Sequence, residues 1–166
     1  MIDLIGLKEI IEDCKLVEGF DDCVMNPAYR IGECYTLTYD YDLVSSKIIS
    51  NYSADYDYDN IYSYILNNFD TEQTSFIKVL PKEFCNRDSI SAVDEDMLFC
   101  DGLDDALIGY RVGFNENKNI AAYDYESCIN CLFDNGMTYE DAAEWMSYNV
   151  MDSYVGEYTP CFIHKI

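Results

Sequence analysis

Three aspartates at alternate positions, Asp55, Asp57 and Asp59, stand where a calcium loop carries its first, third and fifth ligands. Such a loop works because carboxylate oxygens at that spacing converge on one hard cation. It also needs a glycine at the sixth position for the sharp turn and a bidentate glutamate at the twelfth. Here those positions hold Asn60 and Leu66. Calcium chemistry is therefore not expected of this stretch.

Cys128 and Cys131 form a CxxC pair, one helical turn apart, with no second pair at zinc-finger spacing and one histidine, His164, in the whole chain. A thioredoxin-like role needs a depressed thiol pKa at a helix start. The aspartates and glutamates around this pair act in the opposite direction. There is no phosphate-cradling glycine loop and no GxSxG nucleophile turn. Asp94 with Asp96, or Asp104 with Asp105, could hold magnesium for nuclease chemistry. A nuclease must also attract a polyanion, which a chain of net charge -22 does badly. No cofactor is expected, and a carboxylate-metal enzyme is the weaker alternative to binding.

Thirty-two Asp and Glu face ten Lys and Arg, so most acids lack an internal counter-charge even if every base is paired. Aspartate outnumbers glutamate 20 to 12, although glutamate is the better helix former, so the acids do not read as helix support. Solubility is the plain explanation of such a surface. The alternative is a partner: carboxylates in this excess repel nucleic acid and anionic membranes and attract basic proteins. The candidate partner-binding acids are Asp55, Asp57 and Asp59; Asp94, Glu95, Asp96, Asp101, Asp104 and Asp105; and Glu140, Asp141 and Glu144. Glu126, Asp134, Asp152 and Glu157 extend the last group. Sixteen tyrosines add contact area at low entropy cost.

These residues need a scaffold, and 166 residues with 49% apolar content suffice for one. A single compact domain over 1–166 is expected, divisible into an N-terminal subdomain 1–95 and a C-terminal ββααβ unit 96–166. Leu4, Leu7, Ile10, Ile11 and Cys14 after Asp3 predict an amphipathic helix. Tyr35, Leu37, Tyr39 and Tyr41 alternate as in a half-buried strand. Val44 and Ile48, then Ile61 and Ile65, predict two helices, the second with Asp57 or Asp59 at its N-terminus. SFIKVL predicts a strand ended by Pro81, and Ile108, Tyr110, Val112 and Phe114 alternate before a turn and the returning IAAYD. Asp124 and Thr138 are set to cap two helices, the first ending at Asn135-Gly136 and the second burying Ala142, Met146 and Val150. YTPCFIHK closes as a strand beside the hairpin. The predicted class is α+β: an antiparallel sheet with hairpins, packed against several short helices. No signal sequence or span of roughly 18 apolar residues is visible. A cytoplasmic chain with reduced cysteines is the expectation.

The stretches DGLDDALIGYRVG, AAYDYESCINCLFDNGMTYEDAAEWMSYNV and YVGEYTPCFI resemble a small protein family encoded by tailed phages and prophages. The resemblance covers less than half of the chain and carries over no functional residue. It implies a phage setting, where small, strongly acidic proteins often inhibit host defence, anti-CRISPR proteins among them. With the charge, it implies a basic partner such as the nucleic-acid channel of a Cas nuclease, with no direct nucleic-acid binding. A phage accessory module that binds another protein through its tyrosines is the alternative.

Overall fold

In a computed structural model of the chain, residues 16–25, 28–30, 36–52, 58–115 and 117–164 are described. The expected helix over Leu4–Cys14, and Asp55 and Asp57, lie outside them. The described residues build a six-stranded sheet from β1 (Ala28–Arg30), β2 (Leu37–Asp40), β3 (Thr74–Val79), β4 (Leu107–Arg111), β5 (Ile120–Asp124) and β6 (Cys161–Ile163). Its spatial order is β1-β6-β5-β4-β3-β2.

The class is α+β, but the sheet is mixed and not antiparallel. β2 pairs β3 in parallel (Leu37↔Thr74) and β5 pairs β6 in parallel (Ala122↔Cys161); the other three pairings are antiparallel. The reason lies in the connections. A strand that returns in the same direction needs a crossover of a dozen or more residues. Helices α1 (Tyr41–Tyr52) and α2 (Tyr58–Asn68) fill one such crossover, and α4 (Tyr125–Asp134) and α5 (Tyr139–Met146) the other. Only β3 to β5 follow in sequence as an antiparallel meander, with short α3 (Arg87–Ser91) and a 3-10 turn at Asp104–Ala106 between β3 and β4.

Two apolar clusters lie where the helix pairs meet the sheet. In the first, Val44, Ile48, Ile61 and Ile65 meet Leu37, Tyr39, Phe76, Val112 and Phe114. Its rings interlock, with Tyr39–Phe69, Phe69–Phe76 and Phe76–Phe114 centroids 5.2, 5.1 and 5.1 Å apart in edge-on contacts. In the second, Cys128, Ile129, Leu132, Ala142 and Met146 meet Ala121, Tyr123 and Phe162. Ile90, Met97 and Leu103 complete it, so this core draws on the chain before residue 96. Val150, expected in the stripe with Ala142 and Met146, is half-buried.

The sheet's other face is also buried, through Ile77, Ile120, Ala122, Cys161 and Ile163. This overturns the in-and-out reading of the alternating strands. Every residue of β5 is buried, and β4 buries Leu107, Gly109 and Arg111 while Ile108 and Tyr110 are half-buried. The β4–β5 register shifts between Leu107 and Gly109. Gly109 is required there: a Cβ would lie 1.9 Å from the Lys78 carbonyl oxygen.

Candidate functional site

The acidic run from Asp88 to Asp105 is organised by one base, Arg87. Its Nε donates to Asp104 Oδ1 at 2.7 Å, its Nη1 to Asp101 Oδ1 at 3.1 Å and its Nη2 to the Cys100 carbonyl at 3.2 Å. The guanidinium carbon lies 5.5 Å from the Phe99 ring centre. Asn86 holds Arg87 in place by capping α3, accepting from Ser89 N–H at 2.9 Å. The Cys100 N–H donates to the Tyr123 hydroxyl at 2.9 Å, which ties the loop to β5. Burial pushes that phenol's pKa far up, so it stays protonated. Asp94 Oδ1 accepts from Asp96 N–H at 3.1 Å, closing the turn that carries Glu95. Partial burial, then the charges of Asp94 and Asp96, raise the pKa of Tyr158 against this turn.

The two C-terminal helices are anchored by local rules. Asp124 Oδ1 accepts from Ser127 N–H and Oγ, both at 2.8 Å, and Thr138 Oγ1 accepts from Asp141 N–H at 3.1 Å. Gly136, at φ +99°, ends α4; Gly136 N–H and Met137 N–H bond back to the Phe133 and Leu132 carbonyls at 2.9 and 3.2 Å. The buried side of α4 is Cys128, Ile129 and Leu132; its outer side is Glu126, Asn130, Phe133 and Asp134. Tyr139 joins α5 to this ridge, its hydroxyl donating to Glu126 Oε1 at 2.8 Å. Asp105 and Asp134 flank Cys131, whose pKa rises by burial first and by their charge second. They also line a depression of about 330 Å³ with Gly102, Ser127, Asn130 and Asn135.

The fold gathers most of the predicted acids around one core. Asp94, Glu95, Asp96, Asp101, Asp104 and Asp105 lie on the loop that buries Met97 and Leu103, while Glu140, Asp141 and Glu144 are exposed on α5, which buries Ala142 and Met146 in the same cluster. Glu140 and Asp141 also sit in the helix's first turn, where the dipole favours them. Asp59 is elsewhere, in the first turn of α2. That helix is held by Tyr62, stacked on Phe114 at 5.1 Å, beyond the far end of β4. β4 itself, Leu107–Arg111, spans about 13 Å at about 3.3 Å per residue, and α2 packs in the first apolar cluster while the 94–105 loop packs in the second. Asp59 is thus not part of the cluster around 94–105.

Sequence patterning did not single out Arg87 or Tyr158. Arg87 being the base nearest the acidic run was the available signal.

Among the described residues no three His, Cys, Asp or Glu side chains converge to hold a metal. Burial raises the thiol pKa of Cys128 far up and of Cys100 to about 11, the reverse of an activated nucleophile. His164 stacks on Tyr125 with ring centres 4.2 Å apart, and burial pushes it down to about 4. Among the described residues no helix is long and apolar enough to cross a membrane. No protein-family model, no curated protein and no solved structure matches the chain.

Proposed function

We propose that this chain is a non-enzymatic, acidic inhibitor that occupies the basic nucleic-acid groove of a host defence nuclease, acting in the host cytoplasm as an anti-CRISPR-like mimic. The observation that carries the reading is the distribution of charge on an ordered fold. The chain holds -22, and three of its few bases, Lys47, Lys78 and Arg87, are engaged by its own Asp22, Asp42, Asp101 and Asp104. Among the described residues, Glu126, Asp134, Glu140, Asp141 and Glu144 stand exposed on the capped helices α4 and α5, and Glu95, Asp96 and Asp105 on the loop tied to β5. DNA carries one negative charge per about 1.7 Å of axis, and proteins that bind it line their grooves with Lys and Arg. A rigid surface of carboxylates satisfies the same groove. The resemblance of the C-terminal segments to phage-encoded proteins supports the setting.

A second reading, an accessory module that docks on another protein through apolar contact, is favoured by one observation. Tyr148, Tyr154 and Val155 are 71%, 59% and 62% exposed along one short stretch. Binding of the purified chain to RNA-guided nucleases, with added salt and with competing DNA, separates the two. Mimicry predicts affinity that falls steeply with ionic strength and mutual exclusion with DNA. Binding undiminished near about 1 M salt, where screening reaches within about 3 Å, or a stable ternary complex with DNA, would sink it.

A further inference from the structure

We infer that the face meeting the partner is the outer ridge of α4 with the first turn of α5, and that it takes a basic protein surface presenting arginine or lysine. This rests on the mimic reading and goes further by saying which acids make the contact.

Four observations converge on this ridge. The first is that no Lys or Arg occurs between Lys118 and Lys165, an interval holding Asp124, Glu126, Asp134, Glu140, Asp141, Glu144, Asp152 and Glu157. Asp124 is a buried cap; the other seven are exposed. By contrast, four acids elsewhere, Asp22, Asp42, Asp101 and Asp104, are ion-paired with Lys47, Lys78 and Arg87.

Helical spacing supplies the second. Glu126, Asn130, Phe133 and Asp134 stand four, seven and eight positions along α4 on the side away from the core, and Tyr139 abuts them through Glu126. Third, large rings stand out of this acidic surface: Phe133 and Tyr139 are 55% and 51% exposed. A ring face beside carboxylates suits a cation, above all the flat, weakly hydrated guanidinium. The chain makes that contact internally with Arg87 and Phe99.

The fourth is the depression between the Asp104–Ala106 turn and α4, with Asp105 and Asp134 among its lining residues, which offers a seat beside the ridge. Both helix N-termini are capped and α4 is closed by Gly136, so docking orders little that is not already ordered.

A fluorescent decaarginine peptide serves as the basic probe, titrated into the full chain with amide NMR shifts and anisotropy as readouts. The largest shifts are expected at residues 126–141. Glu126→Gln/Asp134→Asn/Glu140→Gln is expected to weaken peptide binding about tenfold, equivalent to about 1.4 kcal/mol. The control Glu18→Gln/Glu72→Gln/Glu83→Gln removes the same charge from other exposed positions and is expected to change it less than about threefold. Melting curves confirm that both variants are folded. Equal weakening by both sets, or shifts centred elsewhere, would overturn the assignment, since binding would then follow net charge alone. If decaarginine maps to α4 while no defence nuclease is bound by the chain, the inhibitor reading fails and the basic-ligand face stands.

Discussion

Replacing Tyr123 by phenylalanine tests whether the acidic loop is held by the fold or merely lies on it. The change deletes one oxygen. The ring stays fully buried and stacked on Phe162, with centroids 5.7 Å apart, so no packing is lost. What disappears is the acceptor for the Cys100 N–H at 2.9 Å. A buried donor left unpaired costs about 1–3 kcal/mol, and Cys100 is only half-buried, so water recovers part of it. A loss of about 1–2 kcal/mol is expected. For a chain of this size that lowers the melting temperature by about 3–6 °C. Chemical denaturation gives the free energy, and hydrogen exchange at the Cys100 amide reports the bond itself. Faster exchange at Cys100 with little change in β5 is the expected pattern, because the sheet's own ladder is untouched. Net charge is unaltered, so any accompanying loss of partner binding measures how far the loop's position matters. Unchanged exchange at Cys100 together with a stability change below about 0.5 kcal/mol would refute the reasoning, and the loop would have to be held by Arg87 and burial alone.

Gly109→Ala places a methyl 1.9 Å from the Lys78 carbonyl oxygen, so β3 and β4 must part; melting temperature is expected to fall by more than about 10 °C or the protein to lose solubility, and an unperturbed melt would show that the bulge tolerates a side chain. His164 has its pKa lowered to about 4 by burial, so between that value and about 6.5 the unfolded chain binds the proton and the folded one does not. Its contribution, at most about 3 kcal/mol, is complete above pH about 6.5 and is lost as the pH falls toward about 4; wild type and His164→Phe compared by denaturant titration across that window should show the extra slope only in wild type.

Local features were legible before the fold. The caps at Asp124 and Thr138, the stop at Gly136 and the buried stripes of Ile61 with Ile65 and Ala142 with Met146 all act within a turn or two of chain, so spacing alone reveals them. Strand direction was not legible. The parallel β2–β3 and β5–β6 pairs arise because each helix pair returns the chain to the same edge, and nothing in a strand's own residues encodes its neighbour. Alternation misled for β4 because both sheet faces are covered, which removes the polar side that period-two patterning presumes. The clamp at Arg87 escaped for a similar reason: its carboxylates are 14 and 17 residues away and meet it only when the loop folds over Phe99.

Charge is a sum over residues, so the excess of -22 and the base-free interval from Lys118 to Lys165 are properties of the sequence alone. So is the failure of the aspartate triplet as a calcium loop, since Asn60 and Leu66 lack the required chemistry wherever they lie. Which acids act together is different, because it depends on distance in space. Tertiary structure separated Asp59 from the loop at 94–105 by the length of β4, neutralised Asp101 and Asp104 with Arg87, and set Asp105 beside Asp134 across Cys131. Coulomb interactions fall off over about 10 Å in salt, so only the folded arrangement converts a count of carboxylates into a face.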